Sequence, residues 1–277
     1  MKKFKTIALV LICLGVFLNC YTVNAQESKL DEVLKRGHII IGVTSSAPPL
    51  GFIDEKTKEL VGFEIDLGKL LAKSLFNDET KVEFVKQAFE ARWPNVQSGK
   101  VDCGIMTTTI YPERLLRVAF TRRYMDSAVA CLVREDSPIK HLKDLNNEKY
   151  TVVSPNNPAS AERVQRYMPK AKAIAFGTFA EMLLALQSRR ADAIQMDLPI
   201  FKWNIKQNPG KYRILPEMFT DLSNNAIFLR KGDFQWWLTL DTLVCEMQEG
   251  GLYPQYKAIF QKWFGEDPPP QRFYLNK

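Results

Sequence analysis

Between residues 107 and 114 the chain reads Thr107-Thr108-Thr109-Ile110-Tyr111-Pro112-Glu113-Arg114. Three hydroxyls are followed, within one turn region, by a proline suited to open a helix and then by an arginine. A guanidinium can grip a carboxylate through two parallel N–H···O bonds, and hydroxyl and backbone donors complete such a site. Proline is favoured at a first helical position, and the exposed N–H groups of a helix start attract anions. The segment fits an anion site. It fits an arginine on a solvated helix start as well, and chemistry alone leaves both readings open.

A free amino acid also has an ammonium group, which needs a carboxylate acceptor. An internal echo points to one. Gln97-Ser98-Gly99-Lys100-Val101-Asp102-Cys103-Gly104-Ile105-Met106 resembles Gln187-Ser188-Arg189-Arg190-Ala191-Asp192-Ala193-Ile194-Gln195-Met196, with four of ten positions identical. Both stretches read as helix end, turn and strand. A similarity this short can arise by chance. If it is a true repeat, the chain holds two lobes, and Thr107 and Asp197 stand at equivalent strand C-termini. Open α/β sheets bind ligands beyond those ends. Two such ends facing each other make a cleft with a hydroxyl on one wall and a carboxylate on the other.

The elements that would position these residues follow from periodicity. Residues 38–43, 81–85, 101–106, 128–134, 150–153, 191–196 and 226–229 read as strands, and 62–76, 93–98, 159–167 and 179–188 as helices. Leu67, Leu70, Leu71 and Leu75 share one helical face. Thr178 with Glu181 forms a capping box that starts the helix at 179. Two further helices cover 236–264. The alternation predicts an α/β fold with largely parallel sheets.

The chain opens on a processing signal. Lys2, Lys3 and Lys5 precede an apolar run of 12 residues at 7–18, and a polar stretch ends at Val23-Asn24-Ala25. An apolar region of ~7–15 residues suits a cleaved secretory leader, whereas a spanning helix needs ~20. Asn19 before Cys20 argues against lipoprotein processing. Cleavage is expected after Ala25, giving an exported, soluble product. The whole chain has 38 basic and 31 acidic residues. Removing the three leader lysines leaves 35 against 31, a charge of +4 spread along the chain. This makes no case for nucleic acid or a membrane surface. Cys103, Cys131 and Cys245 lie in apolar patterns and read as free thiols, with a Cys103–Cys131 bridge as the less favoured alternative. His38 and His141 stand far apart, so no metal site or cofactor is expected.

Five motifs occur in order: Pro48-Pro49 with Gly51-Phe52, Gly62-Phe63-Glu64 with Asp66-Leu67, Gln97-Ser98-Gly99-Lys100-Val101-Asp102, the run 107–114, and Ala191-Asp192-Ala193 through Asp197. Together they resemble the amino-acid (family 3) solute-binding proteins of ABC importers, across essentially the whole mature chain. The resemblance implies a type II periplasmic-binding-protein fold. Its two α/β lobes would be residues 26–128 with 226–277, and the inserted 129–225, joined by crossing strands near 128–134 and 225–230. It also implies a periplasmic monomer that hands its ligand to a membrane permease.

By the same resemblance, Arg114 clamps the ligand carboxylate with help from Thr109, while Thr107 and Asp197 take the ammonium. Phe89 falls where the family packs an aromatic on the ligand side chain, and ordinary core packing is its alternative. Arg92 falls where binders of acidic amino acids hold the side-chain carboxylate, with a solvated helix residue as its alternative. Several positions depart from the family pattern. Thr44 replaces an acidic residue that pairs with basic ligands, Ala47 replaces an aromatic, and Leu50 replaces a customary phenylalanine. The second-lobe loop 154–160 lacks the usual Gly-Thr/Ser-Thr, although Asn157 as N-cap before Pro158 would still offer N–H groups to an anion.

The expected mechanism is capture by hinge closure without chemistry. A periplasmic dehydratase of the cyclohexadienyl-dehydratase type and a ligand-sensing module are the competing readings on the same fold. No histidine or nucleophile–base pair supports the enzyme.

Overall fold

A computed structural model describes residues 27–219 and 222–269. The expected leader at 1–25 lies outside the described residues. The chain begins with α1 (Lys29–Arg36) and β1 (Ile39–Val43). A small antiparallel sheet of β2 (Ser46–Ala47), β3 (Gly51–Ile53) and β4 (Leu60–Val61) leads to α2 (Phe63–Phe76) and β5 (Val82–Lys86). Next come α3 (Arg92–Gln97), β6 (Cys103–Gly104) and β7 (Ala119–Arg134). The following segment holds β8 (Thr151–Pro155), α4 (Pro158–Tyr167), β9 (Lys172–Phe176), α5 (Phe179–Gln187), β10 (Ala193–Asp197), α6 (Leu198–Gln207) and β11 (Tyr212–Ile214). The chain returns through β12 (Leu222–Leu229), α7 (Phe234–Glu249) and α8 (Tyr253–Phe264).

The main strand order is β5-β1-β6-β12-β7-β10-β8-β9, with β11 also on β7. Residues 119–128 of β7 pair with β12, and residues 129–134 pair with β10 and β11. One strand therefore belongs to two sheets, and β12 runs back antiparallel beside it. This is the two-lobed periplasmic-binding-protein fold, with the second lobe inserted into the first.

Two expectations from periodicity change. The strand expected at 128–134 begins at Ala119, because its first half carries Thr121, Arg122, Arg123 and Asp126, which hide the apolar pattern. The strand expected at 101–106 pairs only at Cys103–Gly104. Beyond it the backbone bends away, and Thr107 adopts a left-handed φ of 41°. Pro112–Leu116 forms a 3₁₀ turn and not an α-helix.

Local rules account for the helix ends. Thr178 accepts from Glu181 N while the Glu181 carboxylate takes Thr178 N, closing the capping box before α5. Asn157 accepts from Ser160 N and starts α4, with Pro158 at its first position. In the first lobe Ile39, Ile41 and Val43 of β1 and Leu67 and Leu71 of α2 are buried in one core. A second core gathers Cys131, Val152, Val164 and Leu145. Cys103 and Cys131 are buried free thiols, and Cys245 is half-buried and free. Among the described residues, no helix is long and apolar enough to cross a membrane. No group of three or more His, Cys, Asp or Glu side chains there could hold a metal ion.

Candidate ligand-binding cleft

The loop after β6 is stitched to the crossing strand β12. Ala226 N donates to Thr108 O at 3.0 Å, and Ile110 N to Asn224 O at 3.1 Å. Any ligand resting on this loop therefore sits against a strand that joins the lobes. The left-handed turn at Thr107 is held from behind by Glu64, whose Oε1 accepts Thr107 N–H at 2.7 Å and the Tyr124 hydroxyl at 2.5 Å. Glu64 is fully buried. Burial, aided by the nearby Asp197 carboxylate, pushes its pKa up to about 7 against the opposing pull of the two hydrogen bonds.

Arg92 and Arg114 approach the same loop from two sides. Arg92 is 2 % exposed. Its Nε donates to Phe89 O at 2.8 Å and its Nη1 to Thr108 Oγ1 at 3.1 Å. Its Nη2 is buried without a hydrogen-bond partner. Burial, with Arg114 close by, lowers its pKa to about 9. Arg114 donates Nη1 to Thr109 O at 2.7 Å and Nη2 across the cleft to Asn157 Oδ1 at 3.3 Å. Burial depresses its pKa too, and the neighbouring Arg163 adds to that. The indole of Trp93 lies 5.0 Å from the Arg92 guanidinium and 5.9 Å from that of Arg114. This ring replaces part of the hydration that the cations lose.

One cavity between the lobes is lined by Phe89, Arg92, Thr107, Thr109 and Arg114 from the first lobe. Asn157 and Asp197 line it from the second. The seven residues singled out from sequence thus converge on one place. Phe89 is 3 % exposed and serves the core as well as the cavity wall. Arg92 is no solvated helix residue. Thr44, Ala47 and Leu50 are buried.

Four further polar residues line the cavity without having been singled out: Tyr111, Ser160, Arg163 and Gln195. Arg163 Nη2 meets the Tyr111 hydroxyl across the cleft. With its amide turned to suit its neighbours, Gln195 accepts from Arg163 Nη1 at 2.7 Å and donates to Ser160 O at 3.2 Å. The signals for them were present but weak. Ser160 and Arg163 are three apart on one helical face, and Gln195 shares its strand face with Asp197.

The lobes also touch outside the cavity. Phe89 N donates to Gly177 O at 3.3 Å. Trp203 on α6 packs against Phe52 at 6.0 Å and Trp263 at 6.2 Å between ring centroids. The lobes are drawn together over the cavity, which Arg92 and Arg114 line from the first lobe and Arg163 and Asp197 from the second.

A cleft of this kind defines a ligand-capturing protein, and residues 39–266 match the sequence family of bacterial extracellular solute-binding proteins, family 3. The chain belongs to that family, whose importer-associated members work outside the cytoplasm. It is 32 % identical over 197 residues to a glutamine-binding protein of Geobacillus stearothermophilus, covering 71 % of this chain and 74 % of the relative. An ABC transporter glutamine-binding protein of Bacillus subtilis is 28 % identical over 277 residues, covering 97 % and 99 %. The crystal structure of an ancestral amino acid-binding protein, described as a precursor of cyclohexadienyl dehydratase, superposes with a TM-score of 0.77 at 31 % identity. That match covers 86 % of this chain and all of the other. These relatives are binding proteins, and this chain is a binding protein and not an enzyme.

Proposed function

We propose that the protein captures an amino acid with an acidic side chain, or a similar small dicarboxylate, in the periplasm and presents it to the permease of an ABC importer. In this reading the leader is removed after Ala25 and the mature protein is a monomer. The lobes divide where β7 exchanges β12 for β10, at 128/129, and again at 225/226. Ligand docks first on the lobe that carries Arg114, and rotation of the second lobe brings Asp197 to the ammonium.

The observation that carries the reading is the pairing of opposite charges across one cavity, with Arg92 holding a buried N–H that nothing accepts. A buried charge is costly unless paired. Three guanidiniums share the cavity with Asp197, while burial raises the pKa of Glu64 to about 7. A ligand with net negative charge balances such a site better than a neutral or basic one. Arg114 takes the α-carboxylate with Thr109, Asp197 and Thr107 take the ammonium, and Arg92 takes the side-chain carboxylate beside Phe89. Asn157 fixes Arg114 from the second lobe. The buried Thr44 offers no acid to a basic side chain.

Thermal unfolding of refolded, ligand-stripped mature protein against the twenty amino acids and small dicarboxylates tests this. A ligand that binds only the native state adds about 2.7 kcal/mol of stability at 100-fold excess over its dissociation constant. Aspartate or glutamate should raise Tm, and Arg114→Ala should abolish the rise. A rise with glutamine and none with glutamate would keep the trap and overturn the acidic ligand.

A further inference from the structure

Among the described residues lining the cavity, Thr107 alone has a left-handed backbone, with φ at 41°. A β-branched residue rarely adopts that region, because its side chain crowds the backbone. Such a turn persists only where its surroundings hold it, and strain of this kind collects at ligand sites.

The hold comes from another element. Glu64 stands on the first turn of α2, 43 residues away in sequence, and is not among the residues lining the cavity. Its Oε1 takes Thr107 N–H at 2.7 Å, lies 3.5 Å from the Thr107 hydroxyl, and takes the Tyr124 hydroxyl at 2.5 Å. Glu64 and Tyr124 are fully buried, and Glu64 Oε2 has no hydrogen-bond partner. A buried carboxyl is costly, and an apolar side chain would join α2 to β7 at less cost. The carboxyl is explained by the donor it meets. An amide N–H on the cavity wall would confront a ligand ammonium donor to donor. Glu64 takes up that N–H, and the carbonyl and hydroxyl oxygens of Thr107 are the acceptors left for an ammonium.

We propose that Glu64 is the positioning residue of the ammonium subsite: by accepting the Thr107 N–H it fixes the left-handed turn, so that Thr107 offers acceptors and not a donor in the cavity it shares with Asp197. The inference rests on the amino-acid reading above, and it holds for an acidic and a neutral amino acid alike.

Calorimetric titration with L-glutamate and with glutarate, which keeps both carboxylates and lacks the ammonium, separates this role from a merely structural one. Wild-type protein should prefer glutamate at least 30-fold. Glu64→Leu should weaken glutamate 10- to 30-fold while moving glutarate less than threefold. Glu64→Gln keeps an acceptor oxygen of the same reach and should recover most of the loss. Tyr124→Phe removes the other donor to that oxygen, leaves Thr107 N its acceptor, and should move glutamate less than threefold. Equal weakening of both ligands by Glu64→Leu, or a wild type without preference for glutamate, overturns the inference. If Glu64→Leu does not fold, the other variants still decide: a tenfold loss of glutamate affinity in Glu64→Gln or Tyr124→Phe makes Glu64 a core residue only. Wild-type protein that binds glutamine and not glutamate overturns the acidic ligand instead, and the same variants are then read with glutamine.

Discussion

Asp102 and Asp192 make the same contact in different lobes. The Asp102 carboxylate accepts Ile40 N at 2.7 Å while Asp102 N donates to Ile40 O at 2.9 Å. Asp192 accepts Thr151 N at 2.8 Å and donates its own N–H to Thr151 O at 2.8 Å. Three residues before each stands a left-handed residue, Gly99 at φ 79° and Arg189 at φ 59°. The ten-residue echo in the sequence is thus a structural repeat: helix end, left-handed turn, carboxylate staple, strand. Each copy is followed directly by a cavity residue, Thr107 in one lobe and Asp197 in the other.

The two staples should differ in worth. The Asp102 side chain is wholly buried and ion-paired with Arg36, whereas that of Asp192 is 26 % exposed and pairs with Arg134 at 3.8 Å. Removing a buried carboxylate that serves a backbone N–H and a cation costs about 3 kcal/mol, and a half-exposed one about 1–2 kcal/mol. Urea unfolding of Asp102→Ala and Asp192→Ala should show that order. Equal losses would mean that burial does not set the strength of the staple.

Glu64 should make stability fall as pH rises. Its folded pKa is raised to about 7 from an ordinary 4.5. The folded state therefore holds a proton that the unfolded chain has released between those values. Its stabilising effect is complete below pH 4.5 and lost as pH passes through about 7. The upper bound is about 3 kcal/mol, at 1.36 kcal/mol per unit. Denaturant midpoints at pH 5 and pH 8 should diverge in the wild type and draw together in Glu64→Gln. An unchanged gap in the variant would assign the titration to another group.

Arg92→Met should separate stability from binding. Replacing a buried, partly unpaired cation by an apolar side chain of similar length is often neutral or stabilising. Methionine can keep the contacts with Phe89 and Trp93. Tm without ligand should hold or rise, while affinity for an acidic amino acid falls at least tenfold. Affinity maintained in this variant would remove Arg92 from the ligand's side-chain site.

Trp203 should report closure. It touches Phe52 and Trp263 of the other lobe, and such aromatic pairs contribute about 0.5–1.5 kcal/mol each beyond burial. Ligand addition should alter tryptophan emission, and Trp203→Leu should remove most of that change. The lost closed-state contacts should also weaken binding about tenfold, which corresponds to 1.4 kcal/mol. An emission change of full size in the variant would place the reporting indole elsewhere.

The alternation of strands and helices, the capping box at Thr178 and the cap at Asn157 were legible in sequence, because each depends on residues within a few positions of one another. The resemblance to the family put Arg114 and Asp197 at the two ends of a zwitterion, and the structure brings both residues to one cavity. Strand β7 was read at half its length, because a strand that changes partners midway obeys two patterns of burial. Thr107 was legible as a strand end, but its left-handed turn over a buried Glu64 was not. That turn depends on a carboxylate 43 residues away.

What only the tertiary structure decided is which charges share one poorly hydrated space. Sequence by itself determined the alternating fold class and showed the ten-residue echo, with a hydroxyl after one copy and a carboxylate after the other. The meeting of Arg92, Arg114 and Arg163 in one cavity, the buried Glu64 behind it and the cross-lobe contact of Arg163 with Tyr111 arise from folding. Desolvation and repulsion act through space, between residues that the chain brings together only when its lobes meet.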